Sequence, residues 1–215
     1  TQNLYDISVV STLGLTEDDV DVLSRMDGVK AAEGSYSEMV DTQTDGLHRS
    51  AEVKVLSSQG MNEPYVLEGR LPVNKDEIAV TENYISETGK SVGDTVEFSQ
   101  REAEDAQAEP VFEHLSYTIT GVVIDAANVN SAEGSASFRA SSSADYTFFV
   151  PAAAVSSEVY TAIYLTLSDT KDYQRYSDQY QNRAEEVVHK IETEINSQRE
   201  QARYDTVTGE ANAKA

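Results

Sequence analysis

The stretch that decides the fold is GRLPVNKDEIAV, residues 69–80. Gly69 can adopt a backbone conformation that residues with side chains avoid. Pro72 fixes its own φ angle and removes one backbone hydrogen-bond donor. The stretch therefore predicts a fixed turn that leads into a short strand.

Arg70 lies inside this turn. Its long stem can cover apolar surface while its guanidinium pairs with a carboxylate, and Asp76 and Glu77 follow close behind in the chain. A structural clamp is the favoured interpretation of this arrangement. A ligand-binding arginine is the alternative.

Two further segments extend the pattern of short strands and turns. VGDTV, residues 92–96, places Gly93 and Asp94 in a second turn, and YTITGVV, residues 117–123, predicts another strand. Val92, Val96 and Phe98 keep a period of two, as do Tyr117 and Ile119, as in strands with one buried face.

The chain before residue 60 predicts the order strand, helix, strand, strand. The helix has a start signal, because Thr16 can cap it and Asp19 follows three residues later. The last two strands flank the turn signal Thr-Asp-Gly at residues 44–46. The strands are predicted near residues 6–11, 33–42 and 50–56.

The C-terminal part predicts a strand followed by a long helix. Residues 159–167 alternate between two faces, and Ser168, Asp169 and Thr170 can cap the helix that follows. The helix carries a tyrosine stripe and then apolar residues at intervals of four and three, the seam of a short coiled coil. Packing on the sheet is the favoured role of the stripe, and a partner surface is the alternative. The residues of that possible surface are Tyr173, Tyr176, Tyr180, Ile191 and Ile195.

These elements divide the chain into two subdomains and a tail. Residues 1–59 and 157–204 form an α/β subdomain that includes the coiled-coil helix, residues 60–156 form an inserted β-rich subdomain, and residues 205–215 form a frayed tail. The polar loops at residues 99–113 and 131–144 are expected to be mobile, because they cannot bury enough apolar surface to offset the cost of ordering.

Composition excludes several classes of function. The net charge of −22 and the absence of a Lys/Arg cluster argue against a nucleic-acid partner. No apolar run approaches the roughly 18 to 20 residues that cross a bilayer, and no signal peptide is recognisable. With no cysteine, neither a disulfide framework nor a thiolate site can form.

No catalytic or metal signature emerges from the sequence. Residues 41–52 imitate a calcium loop, but Gln43 occupies a position that prefers Asp or Asn, and a hairpin is the better interpretation. The three histidines are scattered without metal-ligand spacing. Phosphate-binding and nucleophile-elbow motifs are absent. We therefore expect no enzymatic activity, no cofactor and no metal.

The motifs resemble the extracytoplasmic domain of FtsX-like, or MacB-type, ABC transporter permeases. In that family an "eGRlP…nEIal" turn leads to a "vGDtv" strand and then to an "ytItGvv" strand, as in residues 69–80, 92–96 and 117–123. The resemblance covers most of the chain, from about residue 5 to residue 204, and breaks down at residues 125–138. It implies an α+β fold, with a porter-like α/β layer, an inserted β-rich (Sabre-like) lobe and a long C-terminal helix.

The resemblance also implies a function. Such a domain is non-catalytic and sits on the extracytoplasmic side of the cell membrane, where it transmits ATP-driven motion to a partner or substrate. The implied partners are a cytoplasmic ATPase subunit, a second permease copy and an unknown extracytoplasmic partner. A free-standing secreted or lipid-anchored binding protein is the alternative.

Overall fold

A computed structural model of the chain describes residues 3–100, 111–112, 114–125, 144–157, 159–168, 170 and 177–213, without the side chains of residues 12, 13 and 196–213. The fold is α+β, as predicted. The described strands are β1 (Ile7–Leu15), β2 (Val29–Ser35), β3 (Ser37–Thr44), β4 (Leu47–Val55), β5 (Tyr65–Gly69), β6 (Glu77–Thr81), β7 (Thr95–Gln100), β8 (Ser116–Ile124), β9 (Tyr146–Val150) and β10 (Tyr160–Leu167). The described helices are α1 (Glu17–Ser24), α2 (Glu82–Thr88) and α3 (Asp178–Ala213), with a short 3-10 turn at Ala152–Ala154.

Three strands form a small antiparallel sheet in the order β1-β10-β2. Helices α1 and α3 contribute to the core beside it, where Leu23 and Val187 join Ile163 and Leu165 of β10. Strand β10 lies where the sequence predicted a strand, and it is buried on both faces, since Ala162 and Thr166 are buried as well as these two residues. The central strand thus provides the apolar surface for the core that α3 joins.

Helix α1 begins where the sequence predicted. Thr16 is its N-cap, the Thr16 backbone N–H donates to Asp19 Oδ2 at 2.7 Å, and the Thr16 hydroxyl accepts from the Asp19 N–H at 3.5 Å. This reciprocal pair satisfies backbone donors that the first helical turn leaves unpaired.

The other seven strands form a larger sheet in the order β5-β8-β6-β9-β4-β3-β7. Strand β7 pairs with β3 and also with the first part of β8, so six strands close into a ring. Strand β5 lies outside this ring and pairs with the last part of β8. Closure gives each strand of the ring a partner on both sides, which removes most of the exposed edges.

The ring encloses the larger hydrophobic core. Tyr84 of α2 packs edge-to-face against Tyr146 and Phe148, with ring centroids 5.0 Å apart in both pairs. Phe98 stacks on Tyr117 at 5.1 Å. Helix α2 was missed by the sequence analysis, which predicted only strands and loops for this part. Its seven residues are too few to display a helical period.

The division between the sheets does not coincide with the predicted boundary at residues 59 and 60. Strands β3 and β4 form the predicted hairpin, with Asp45 and Gly46 in its turn at φ of 52° and 76°. They belong to the larger sheet, however, because β4 pairs with β9 and β3 pairs with β7. A hairpin pattern specifies the pairing of its own two strands but not the sheet that they join.

The described helix α3 begins at Asp178. The Ser177 hydroxyl accepts from the Tyr180 N–H at 3.3 Å, and the Ser177 carbonyl accepts from the Gln181 N–H at 2.9 Å. Ser177 is therefore the cap of the described helix, and capping by residues 168–170 stays a prediction, because residues 171–176 lie outside the described residues. Tyr173 and Tyr176, together with residues 101–110, 113 and 131–143 of the predicted loops, lie outside the described residues.

Within the described part of the chain, no helix combines the length and apolar character needed to cross a membrane.

Candidate functional site

The predicted turn at residue 69 depends on a close approach between two backbones. Gly69 has a φ of 72°, and a Cβ on it would lie 2.2 Å from the Thr120 carbonyl oxygen. A Cβ on Gly121 would lie 2.3 Å from the Arg70 carbonyl oxygen. The Arg70 N–H donates to that Thr120 oxygen at 2.8 Å. Glycine is required at both positions, because the neighbouring atoms are backbone and cannot move aside without breaking the sheet.

Arg70 forms the predicted clamp with Glu77. Its two terminal nitrogens donate to the two Glu77 carboxylate oxygens at 2.8 and 2.6 Å, a two-point pair. The same carboxylate accepts the Val73 and Asn74 backbone N–H groups at 2.8 and 3.1 Å, and Asn74 Nδ2 at 2.8 Å. Asp76, the other carboxylate that the sequence offered, instead uses its backbone carbonyl to accept the Thr118 N–H at 2.8 Å.

The electrostatics of the clamp favour a charged Glu77. The hydrogen bonds from Arg70, and then that from the Val73 N–H, hold the pKa of the Glu77 carboxyl well below its ordinary value of 4.5. Burial acts in the opposite direction and is outweighed. The Glu77 side chain is 10% exposed and that of Arg70 is 55% exposed, so the carboxylate is the buried anchor and the guanidinium covers it.

The second predicted turn is also built on strand β8. Gly93 has a φ of 101°, and its N–H donates to the Ile119 carbonyl at 2.8 Å. The Ile119 N–H donates in return to the Asp94 carbonyl at 2.8 Å. The Asp94 side chain accepts the Ser91 N–H at 2.8 Å, which closes the turn.

The three motif segments therefore meet on one strand. Turn 69–77 contacts Thr118, Thr120 and Gly121, while turn 91–94 contacts Ile119 between them. The register of β6 on β8 shifts between Ile78 and Ala79, at the place where these contacts concentrate. The predicted turn residues that this arrangement brings together are Gly69, Arg70, Pro72, Glu77, Gly93 and Asp94. Their role in stability stays a prediction.

The possible partner surface is only partly described, and the described residues pack within the domain. Ile191 is buried and Ile195 is half-buried against the small sheet. The Tyr180 hydroxyl donates to Asp6 Oδ1 at 2.5 Å. Binding of a partner through these residues stays a prediction.

A polar cluster between the two sheets was missed by the sequence analysis. Lys54 Nζ lies 2.7 Å from Asp125 Oδ2 and 3.6 Å from Glu52 Oε2, beside a small cavity of about 50 Å³ that Tyr164 also lines. The Tyr164 ring stacks on Tyr5 at 4.6 Å. Because Lys54 and Asp125 are 71 positions apart, no local pattern could have paired them.

Lys54 is held in its charged form by this cluster. Burial alone would lower the pKa of Lys54, but the carboxylates of Asp125 and Glu52 outweigh it and raise the pKa above its ordinary value. The Asp125 side chain is 4% exposed. A buried carboxylate of this kind depends on its cation, because an unpaired charge is costly away from water.

The calcium-like segment at residues 41–52 is a hairpin, as predicted. Asp41 lies opposite Ser50 in the ladder between β3 and β4. Across the described residues, no group of three or more His, Asp or Glu side chains could hold a metal ion.

Comparison with known proteins gives structural similarity only. No protein-family model matches the chain, and no curated protein matches it significantly. The extracellular domain of the noncanonical ABC-type transporter YknZ from Gram-positive bacteria is similar in structure, with 14% identity, coverage of 86% of this chain and 87% of its own, and a TM-score of 0.48. The periplasmic region of MacB from Actinobacillus actinomycetemcomitans is also similar, with 12% identity, coverage of 85% and 75%, and a TM-score of 0.45. At these identities the similarity concerns the fold.

Proposed function

We propose that this chain is the non-catalytic extracytoplasmic domain of an ABC transporter permease of the FtsX/MacB kind. The observation that carries the proposal is the meeting of residues 69–80, 92–96 and 117–123 on strand β8. These are the segments by which the sequence resembles such domains, and they form one hydrogen-bonded unit. Their polar groups are used to hold strands together, which suits a scaffold.

Helix α3 supports a role in transmitting motion. It packs on the small sheet through Val187 and Ile191 and continues as a helix to Ala213. Its 36 residues, at a rise of about 1.5 Å each, span about 54 Å. In the intact protein, where a partner helix would hold the part beyond Ile195, a displacement at the far end of α3 would be carried to the sheet on which the helix is docked.

The contacts between the two sheets would pass this displacement to the ring. Glu33 of β2 accepts the Ser58 N–H and hydroxyl at 2.6 and 2.7 Å, and Ser57 and Gln59 also donate to it. Ser37, at the start of β3, donates its N–H to the Thr161 hydroxyl at 2.9 Å. In the intact protein, ATP-driven closure of the membrane part would move both sheets together. The partners in this proposal are a cytoplasmic ATPase, a second permease copy and an extracytoplasmic protein or substrate.

The location can be tested in cells with the intact protein in a form that lacks other cysteines. Leu47 is exposed at the hairpin of β3 and β4, and this chain has no cysteine of its own. Leu47→Cys is expected to react with a membrane-impermeant maleimide in unbroken cells, and the protein is expected to stay in the membrane fraction after a carbonate wash. Labelling only after lysis would contradict the proposal. Recovery from the medium would favour the secreted binding protein.

Transmission of motion needs a second experiment. Spin labels on Leu47→Cys in two copies of the permease, reconstituted with the cytoplasmic ATPase, should change their mutual distance on ATP binding. An unchanged distance would argue against this role and leave the location proposal standing.

A further inference from the structure

An apolar groove runs along the outer edge of the small sheet. It has a volume of about 250 Å³ and lies between strand β1, at Ile7–Val10, and helix α3, at Val188, Glu192 and Ile195. Val10 is 51% exposed. The groove is separate from the motif turns on β8 and from the polar cluster between the sheets.

The backbone edge of β1 borders this groove. Among the described strands, β1 pairs only with β10, so its other edge has no strand beside it. Four successive residues of β1 line the groove, and successive residues of a strand point to opposite faces. The groove therefore includes the edge itself, which offers backbone groups to an added strand.

The flank of α3 on this side is acidic. Asp178, Glu185 and Glu192 are exposed and recur every seven residues, which places them on the same flank as the groove. Among the α3 side chains that the structure describes, the two Lys/Arg residues are Arg183 and Lys190. Arg183 binds Glu186, and Lys190 binds both Glu186 and Asp27, away from the groove.

Strand β1 adds no positive charge to this surface. Residues 3–15 contain no Lys or Arg, and the whole chain carries a net charge of −22. A second copy of the chain would bring the same negative charge to the same place, and the repulsion disfavours it. A segment with apolar and basic side chains matches the groove in both shape and charge.

We propose that this groove binds an extended segment of a partner protein, which adds to β1 as a fourth strand. Every second side chain of the segment faces α3. Those side chains include apolar residues that pack on Val188 and Ile195, and Lys or Arg residues that reach Glu192 and Glu185. The proposal concerns a surface of this chain alone and holds whether or not the chain serves a transporter.

The probe is a fluorescently labelled peptide of sequence KTVTKTVTKT, titrated with the full chain at low salt and followed by anisotropy. Saturable binding is expected. The acidic peptide ETVTETVTET should bind with an affinity at least about tenfold lower. Glu192→Lys should weaken binding of the basic peptide by about tenfold. Glu68→Lys is the matched control, because Glu68 is exposed on β5 and the change in net charge is the same. That variant should bind almost as well as the natural chain.

Strand addition is tested with two N-methylated forms of the basic peptide, one methylated at every threonine and one at the other residues. Backbone groups of alternate residues point to opposite edges, so one of the two forms should lose binding. The proposal would be overturned if Glu192→Lys and Glu68→Lys weakened binding equally, or if no saturable binding were found. It would also be overturned if both methylated peptides bound as well as the unmethylated one. A dimer that Glu192→Lys dissociates would identify a second copy as the occupant and would also overturn it.

Discussion

Tyr180 and Asp6 join helix α3 to the small sheet. The Tyr180 hydroxyl donates to Asp6 Oδ1 at 2.5 Å, and Asp6 Oδ2 accepts the Leu167 N–H at 2.7 Å. One carboxylate thus holds the first turn of α3 and the end of β10, with the start of β1 between them. The helix is positioned by this polar contact as well as by apolar packing.

Tyr180→Phe is expected to destabilise the chain by about 1 to 2 kcal/mol, because it removes a hydrogen bond to a charged acceptor while keeping the ring. Urea unfolding measures the change. Tyr65→Phe is the control, since Tyr65 is 61% exposed on β5 and should tolerate the loss of its hydroxyl. Equal effects of the two changes would mean that the Asp6 contact contributes nothing to stability.

Gly69→Ala is expected to cost more stability than Gly89→Ala. Both glycines have positive φ, 72° and 67°, so both variants carry a similar backbone strain of about 1 kcal/mol. Only at Gly69 would the new Cβ meet a backbone oxygen, since nothing lies within 4 Å of a Cβ on Gly89. Thermal or urea unfolding of the two variants measures the difference. If both variants lost the same stability, the close approach to Thr120 would not be what requires glycine there.

Glu77 is expected to make stability depend on acid pH. Its pKa is depressed in the folded state, so its contribution is present above its ordinary value of 4.5 and is lost as pH falls below that value. The free energy of unfolding should therefore decrease more between pH 7 and pH 3 in the natural chain than in Glu77→Gln. Glu68→Gln, on the exposed part of β5, should keep the natural pH dependence. If the free energy of unfolding of Glu77→Gln depended on pH as it does in the natural chain, the charged Glu77 would not contribute to stability through its pairing with Arg70.

Lys54→Met is expected to destabilise the chain by about 3 kcal/mol, because it leaves the buried Asp125 carboxylate without its closest cation. The double change Lys54→Met with Asp125→Leu should recover most of that loss, since apolar side chains of similar volume can replace a buried ion pair. Unfolding of the single and double variants forms a double-mutant cycle. Additive losses would show that the two side chains do not depend on each other.

Helix α3 is expected to exchange its amide hydrogens unevenly. The part before Ile195 packs on the small sheet and should be protected, because Val187 and Ile191 are buried. From Ser197 onward we expect fast exchange in a verified monomer, because the seam continues there with Gln198 and Ala202, which offer little apolar surface for packing, and most helical stability in proteins comes from such packing. Hydrogen exchange read by mass spectrometry decides this. Slow exchange at residues 197–210 would mean that the segment packs on its own domain and is not a lever.

Local features of the chain could be predicted from the sequence because their causes are local. The Thr16 and Asp19 pair caps α1 within four residues of chain, and the clamp between Arg70 and Glu77 closes within eight. Strand β10 could be predicted because residues 159–167 alternate between two faces. In each case the interacting groups are close in sequence, so their spacing carries the information.

Relations between distant segments were decided by the tertiary structure. Strands β3 and β4 could have joined either sheet, since their hairpin pattern is the same in both. The closure of the ring through β7 and β8, and the pairing of Lys54 with Asp125, bring together residues far apart in the chain. Such contacts form only after the loop between them has closed, at an entropic cost that the packed core offsets. For this reason the sequence alone determined the turns, caps and strand faces, while packing determined which sheet each strand joined and which charges became buried together.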